Sequence, residues 1–216
     1  MTIGNRIFTI LFGLVFVVMG VGGGFFVARE TQQQADRIAQ LDPLSASAVA
    51  QADHGQEVLV EGVISADNPT LYRNFVAYRE ERLEHDGDDD LTWRRLGTTT
   101  QPLRLEAGGV IQISNQDYRL NGSHVTSPST SRNRPGELRY SGIVHGRTVT
   151  AIGNIVQSGN ERTVNAHVIF AGTQEQFIRS QRTGSFIFAC VGGIFATFGV
   201  LIIIHAFRER RSSEAV

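Results

Sequence analysis

Two apolar runs frame the chain, and between them the hydrophobic pattern changes period. Ile7 to Val27 (IFTILFGLVFVVMGVGGGFFV) and Phe186 to Phe207 (FIFACVGGIFATFGVLIIIHAF) contain no Asp, Glu, Lys or Arg. At about 1.5 Å rise per residue, a helix of either length crosses a hydrocarbon core of roughly 30 Å. The pattern predicts transmembrane helices over 7–27 and 186–207. A cleaved signal peptide is the second reading of the first run, because Arg6 precedes it. Its apolar stretch exceeds the roughly 7–15 residues of a signal core, which favours a retained anchor.

Residues 28–55 read as a helical juxtamembrane stalk. RETQQQADRIAQLDP continues the first helix until Pro43 stops it. Asp42 as N-cap and Pro43 in the first helical position then predict a short helix through LSASAVAQAD, ending near Gly55.

From 56 to 172 the apolar period becomes two. EVLVEGVIS, FVAYREERLEH, LTWRRLGTTT, PLRL, VIQIS, RTVTAIGNIVQ and ERTVNAHVIF read as strands separated by turn residues. In the last of these, alternation puts Val164, Ala166, Val168 and Phe170 on one face and Thr163, Asn165 and His167 on the other. The acidic DGDDD makes a hairpin tip with Asp86 and Gly87 in the turn. Residues 121–137 (NGSHVTSPSTSRNRPGE) are polar and aperiodic, and predict a mobile loop. Thr173 and Gln176 form a capping box opening a connecting helix over 173–185. Seven or eight short strands with one closing helix predict a small barrel or sandwich, held between two membrane helices.

Charge sets the expected orientation. Arg208, Arg210 and Arg211 abut the second span and Arg6 precedes the first, against Arg29, Arg37, Arg179 and Arg182 on the enclosed side. The compact RERR cluster predicts that residues 1–6 and 208–216 are cytoplasmic and the central domain extracytoplasmic in a cell membrane. All 20 basic residues are Arg, none is Lys, and the formal net charge is −1, so nothing points to nucleic acid. The one cysteine, Cys190, lies inside the second run, which leaves no disulfide and no thiolate zinc site within one chain.

Candidate chemistry is sparse. Asp86, Asp88 and Asp90 alternate like the start of a calcium loop, but Leu91 and Gly97 stand where such a loop needs its glycine and its final glutamate. His54, His85, His124, His145, His167 and His205 show no metal-ligand spacing, and no GxSxG or phosphate loop lies outside the spans. No cofactor and no catalytic residue is expected. Asn121 in NGS fits a glycosylation acceptor. Gly20, Gly24, Ala189, Gly192, Gly193 and Ala196 form small-xxx-small pairs suited to packing the two spans together, or two copies of the chain.

Four patches in order resemble one family: VLVEGVISADNPTLYRNFVAY (58–78), TTTQPLRLEAGGVIQI (98–113), ELRYSGIVHGRTVTAIGNIV (137–156) and FIRSQRTGSFIF before a membrane helix. They are similar to the GIDE-type, "beside a membrane", domain of the mitochondrial membrane-anchored RING-type ubiquitin ligases, which also occurs in prokaryotic relatives. The resemblance implies a domain framed by two spans and facing a non-cytosolic space. It implies no ligase activity here, because no Cys or His ligands for a zinc-binding RING follow Phe207. The expected function is non-catalytic: a membrane protein presenting a β domain to a protein partner or assembly. The acidic tip around Asp88 and the loop 121–137 are the expected contact surfaces. An enzyme or enzyme subunit acting on a lipid or envelope substrate beside the membrane is the alternative.

Overall fold

The computed structural model describes residues 3–87, 90–128, 134–159 and 161–213. The chain divides into two compact units, one made of the residues up to Ile38 with those from Ile178 onward, the other of Ala39–Phe177.

The first unit is an antiparallel helical pair. Its first arm runs as α1 (Ile3–Val18), a π-helical stretch (Met19–Phe25) and α2 (Phe26–Ala39); its second is α4 (Gln174–Ser213), one unbroken helix that includes both the expected connecting segment and the second span. Glycines let the arms meet backbone to backbone. A Cβ on Gly20 would lie 2.5 Å from the Gly192 carbonyl oxygen and 2.6 Å from the Ala196 nitrogen, and one on Gly24 would lie 2.5 Å from the Gly192 Cα. Only residues lacking a side chain permit that separation. Outward, the pair is greasy: Phe8 and Phe186 are each 70% exposed. In the most apolar windows of the two helices only 12% and 11% of residues are buried. These are two helices long and apolar enough to cross a membrane, and their apolar surface is not spent on a protein core.

The second unit reverses that arrangement. Among the described residues ten strands, three more than the seven apolar runs, form two sheets: β1 (Glu57–Ile64), β2 (Phe75–Asp86), β3 (Asp90–Thr99), β4 (Leu103–Glu106), β5 (Val110–Ile113), β6 (Arg119–Asn121), β7 (Val125–Ser127), β8 (Leu138–Val144), β9 (Thr148–Ser158) and β10 (Glu161–Phe170). One sheet has the order β5-β4-β1-β9-β10-β6, and β5 also pairs with β10 in parallel at Ile113 and Val164, so five strands close into a barrel. At the seam the Asn115 side chain stands in for a strand backbone. Its Nδ2 donates to the Ala166 carbonyl and its Oδ1 accepts from the Ala166 N–H, both at 2.8 Å. The other sheet, β3-β2-β8-β7, is built from the segments between barrel strands. One core serves both sheets: Leu105, Ile113 and Ile155 from the barrel and Ala77 and Ile143 from the second sheet are fully buried members of a single cluster. Each buried aliphatic side chain contributes about 1.5–3 kcal/mol through removal from water.

Three expectations are corrected. The cap of α3 (Ala46–Gln51) is Ser45, whose Oγ accepts from the Ala48 N–H, and not Asp42. Leu44 is drawn instead into pairing with β1, donating its N–H to the Leu59 carbonyl at 2.8 Å. Residues 46–51 therefore pack on the barrel, with Val49 2% exposed in its core, and do not prolong a stalk. In β10 a bulge at His167 breaks the simple alternation, so Ile169 joins Val164 and Ala166 in the core, while Phe170 stacks on Phe177. The stretch 121–137 is not wholly loop: β7 lies in it and pairs with β8, Ser127 opposite Tyr140. Residues 129–133 fall outside the described ones. The capping box at the start of α4 is present, with Thr173 N–H to Gln176 Oε1 at 3.1 Å and Gln176 N–H to Thr173 Oγ1 at 3.3 Å.

Candidate functional site

The second sheet gathers the tyrosines. Three of the four in the chain, Tyr72, Tyr78 and Tyr140, converge on one face with ring centroids 4.6–5.8 Å apart. Pairing of β2 with β8 sets Glu80 opposite Tyr140 and Tyr78 opposite Gly142. Gly142 is required there. A Cβ on it would fall 2.1 Å from the Ala77 carbonyl oxygen, so any side chain would push β8 off β2.

Arg73 completes the patch. Its backbone sits at φ 52°, a left-handed conformation uncommon for a non-glycine residue and a recurring mark of binding sites. From there its guanidinium reaches within 5.4 Å of the Tyr72 ring centroid and 5.8 Å of that of Tyr140, the range of a cation–π contact, and donates to Ser127 Oγ. The Tyr140 hydroxyl donates to Glu80 at 3.4 Å. Burial and the Glu80 carboxylate hold its pKa above the usual tyrosine value, so it remains a neutral donor. The three tyrosines are half-buried, while Arg73 and Leu71 are exposed. The opposite face carries a second pair: the Arg139 guanidinium lies 4.2 Å from the Trp93 ring centroid and bonds Glu81 at 2.7 Å.

A polar groove runs over the outer face of β4 and β5. Arg104 and Gln112, cross-strand partners, line both of its cavities, about 480 Å³ bounded also by Glu161, Arg162 and Thr163, and about 340 Å³ bounded also by Asp67, Asn68 and Gln101. Thr163 is 2% exposed and its Oγ1 has no hydrogen-bond partner. Asn68 ties the groove's rim to the barrel through Nδ2 to the Arg104 carbonyl (2.9 Å) and Oδ1 from the Arg104 N–H (2.7 Å). Among the described residues, the lining holds no histidine or cysteine, and Glu161 and Asp67 lie in different cavities. Neither a nucleophile–base pair nor two facing carboxylates is assembled there.

The residues singled out from sequence are dispersed. Asp86 and Asp90 are cross-strand partners at the β2–β3 tip, and Asp88 lies outside the described residues. Among the described residues no group of three or more His, Cys, Asp and Glu could hold a metal. His124 Nε2 donates to the Thr148 carbonyl at 2.8 Å, leaving a buried Nδ1 without a partner; burial lowers its pKa. His145 donates to the Asn68 carbonyl at 2.7 Å, and His167 is exposed and bonds Asn154. Asn121 is half-buried in β6, its carbonyl accepting from the Ala171 N–H. In the helical pair Gly20 and Gly24 meet Gly192, Ala196 lies against Gly20, a Cβ on Gly193 would meet open space, and Ala189 lines a cleft. Sequence reasoning placed the contact surfaces at Asp88 and the loop, and missed the tyrosines. The one trace of them was Tyr72, Tyr78 and Tyr140 lying within the family-like patches.

Against models of known protein families, curated proteins and solved structures, the chain finds no match, so its resemblance to GIDE-type domains rests on the four sequence patches alone.

Proposed function

We propose that this is a non-catalytic, membrane-anchored binding protein, whose two helices span the bilayer and whose β unit engages a protein partner through the tyrosine–arginine patch. The observation that carries the reading is the convergence of Tyr72, Tyr78, Tyr140 and Arg73 on one accessible sheet face. Tyr and Arg dominate interface hot spots, since both bring large contact area and a polar handle at modest ordering cost. The loop expected to carry contacts joins this surface through Ser127. The RERR cluster supports the topology that goes with it, both termini cytoplasmic and the β unit outside. The GIDE-type resemblance is compatible with such a presented domain; ligase activity forms no part of the reading.

The test is affinity capture from detergent-solubilised native membranes with quantitative mass spectrometry. Tyr72→Ala with Tyr140→Ala should lose the partner by roughly thirtyfold, corresponding to about 2 kcal/mol for a pair of hot-spot residues. Undiminished capture would refute the assignment.

The β4–β5 groove favours a second reading, in which the unit holds a polar small molecule or envelope glycan segment. Partly open five-stranded barrels of the OB type use the face of their second and third strands for ligands, and here those strands are β4 and β5. The unpartnered Thr163 hydroxyl is the specific feature in its favour. It is an analogy at the level of architecture.

A further inference from the structure

The helical pair contains a cleft of its own. Between α2 and α4, Arg29, Gln32, Arg182, Ser185, Phe186 and Ala189 enclose about 490 Å³. Small residues make the room: Ser185 Oγ donates to the Ala28 carbonyl at 2.8 Å, holding the helices together without bulk at that level. The cleft is amphipathic. Arg29, Gln32 and Arg182 line it together with Phe186 and Ala189.

The depth of these arginines is set by the sequence. Arg29 comes two residues after the first apolar run and Arg182 four before the second. At 1.5 Å per residue they stand about 3 and 6 Å beyond the hydrocarbon edge, where long cationic side chains meet lipid phosphates. Arg182 bonds Asp36 at 3.2 Å, both side chains being about half exposed. Arg29 has no carboxylate within ion-pair distance among the described residues. Arg29 thus lines the cleft without an ion-pair partner among the described residues, together with Phe186, 70% exposed.

We infer that this cleft binds an anionic phospholipid, the phosphate between Arg29 and Arg182 and an acyl chain along Phe186 and Ala189. A zwitterionic lipid would bring its own ammonium toward the same arginines, whereas the glycerol headgroup of phosphatidylglycerol brings no cation. The inference rests on the membrane-spanning reading of the two helices.

The test is native mass spectrometry of the full chain in detergent micelles carrying equal phosphatidylglycerol and phosphatidylcholine. The wild type should retain phosphatidylglycerol in preference, and Arg29→Gln with Arg182→Gln should reduce that preference by about fivefold per arginine. Helix content by circular dichroism checks folding. Should the double variant misfold, Arg29→Gln alone serves, since Arg29 has no ion pair to lose among the described residues. Equal retention of the two lipids by the wild type, or undiminished preference in the folded variant, overturns the site, as does displacement of the lipid by millimolar inorganic phosphate. Alkaline carbonate extraction separates the two failures. A chain washed from membranes refutes the spanning reading, while a chain that stays in the pellet without lipid preference refutes this site only.

Discussion

The two units solve the same problem with opposite faces. In the β unit, Leu105, Ile113 and Val164 are fully buried in the core. In the helical unit, Phe8, Leu14 and Phe186 are 70, 51 and 70% exposed, while the closest approaches between the arms are at glycines. The β unit is held by apolar area removed from water. If its helices span the bilayer as proposed, the helical unit gains nothing comparable by burying Leu, because lipid tails are as apolar as Leu; its arms approach through close backbone packing. Apolar residues therefore mark the core in one unit and the outer surface in the other.

Substitutions break that contrast in order of size. Gly142→Val should be the most severe, since its Cβ would sit 2.1 Å from a backbone oxygen. A cost of roughly 4 kcal/mol or more is expected, read as loss of the cooperative urea transition of Trp93 fluorescence in detergent. Next comes a matched pair. Leu105→Ala in the barrel should destabilise that transition by about 2–5 kcal/mol. Leu14→Ala, which faces lipid when α1 spans the bilayer, should leave it within about 0.5 kcal/mol. Equal costs for the two leucines would show that α1 is a buried core helix and end the contrast.

The smallest effect is a pH dependence. Burial holds His124 below its ordinary pKa, so the fold favours the neutral ring. Its stabilising contribution is complete above the unfolded value of about 6.5 and falls as pH drops through that value toward the folded pKa. Wild type should therefore lose more stability than His124→Gln between about pH 6.5 and 5, measured by the same transition. Parallel pH profiles would contradict this.

The same contrast explains what could be read beforehand. The long apolar helices and the strands with four or more alternating residues were legible because their apolar positions recur with a single period. β6 and β7, three residues each, carry no period, and β8 hides its period behind Ser141 and Gly142. Asp42–Pro43 had the chemistry of a helix start, but pairing of Leu44 with β1 outweighed it. The tyrosine patch was illegible for a different reason. Tyr72 and Tyr140 are far apart along the chain, and only the β2–β8 register and the turn at Arg73 bring their rings together.

The central claim, that this tyrosine face of a membrane-anchored unit is the partner-binding surface, is tested most directly by photo-crosslinking in native membranes. A photoreactive side chain at Leu71, exposed at the patch edge, is compared with one at Val110, 61% exposed on β5. A discrete adduct is expected from position 71 that disappears with Tyr140→Ala, and none of the same mass from position 110. The same adduct from both positions, or one from position 71 that survives Tyr140→Ala, would contradict the claim.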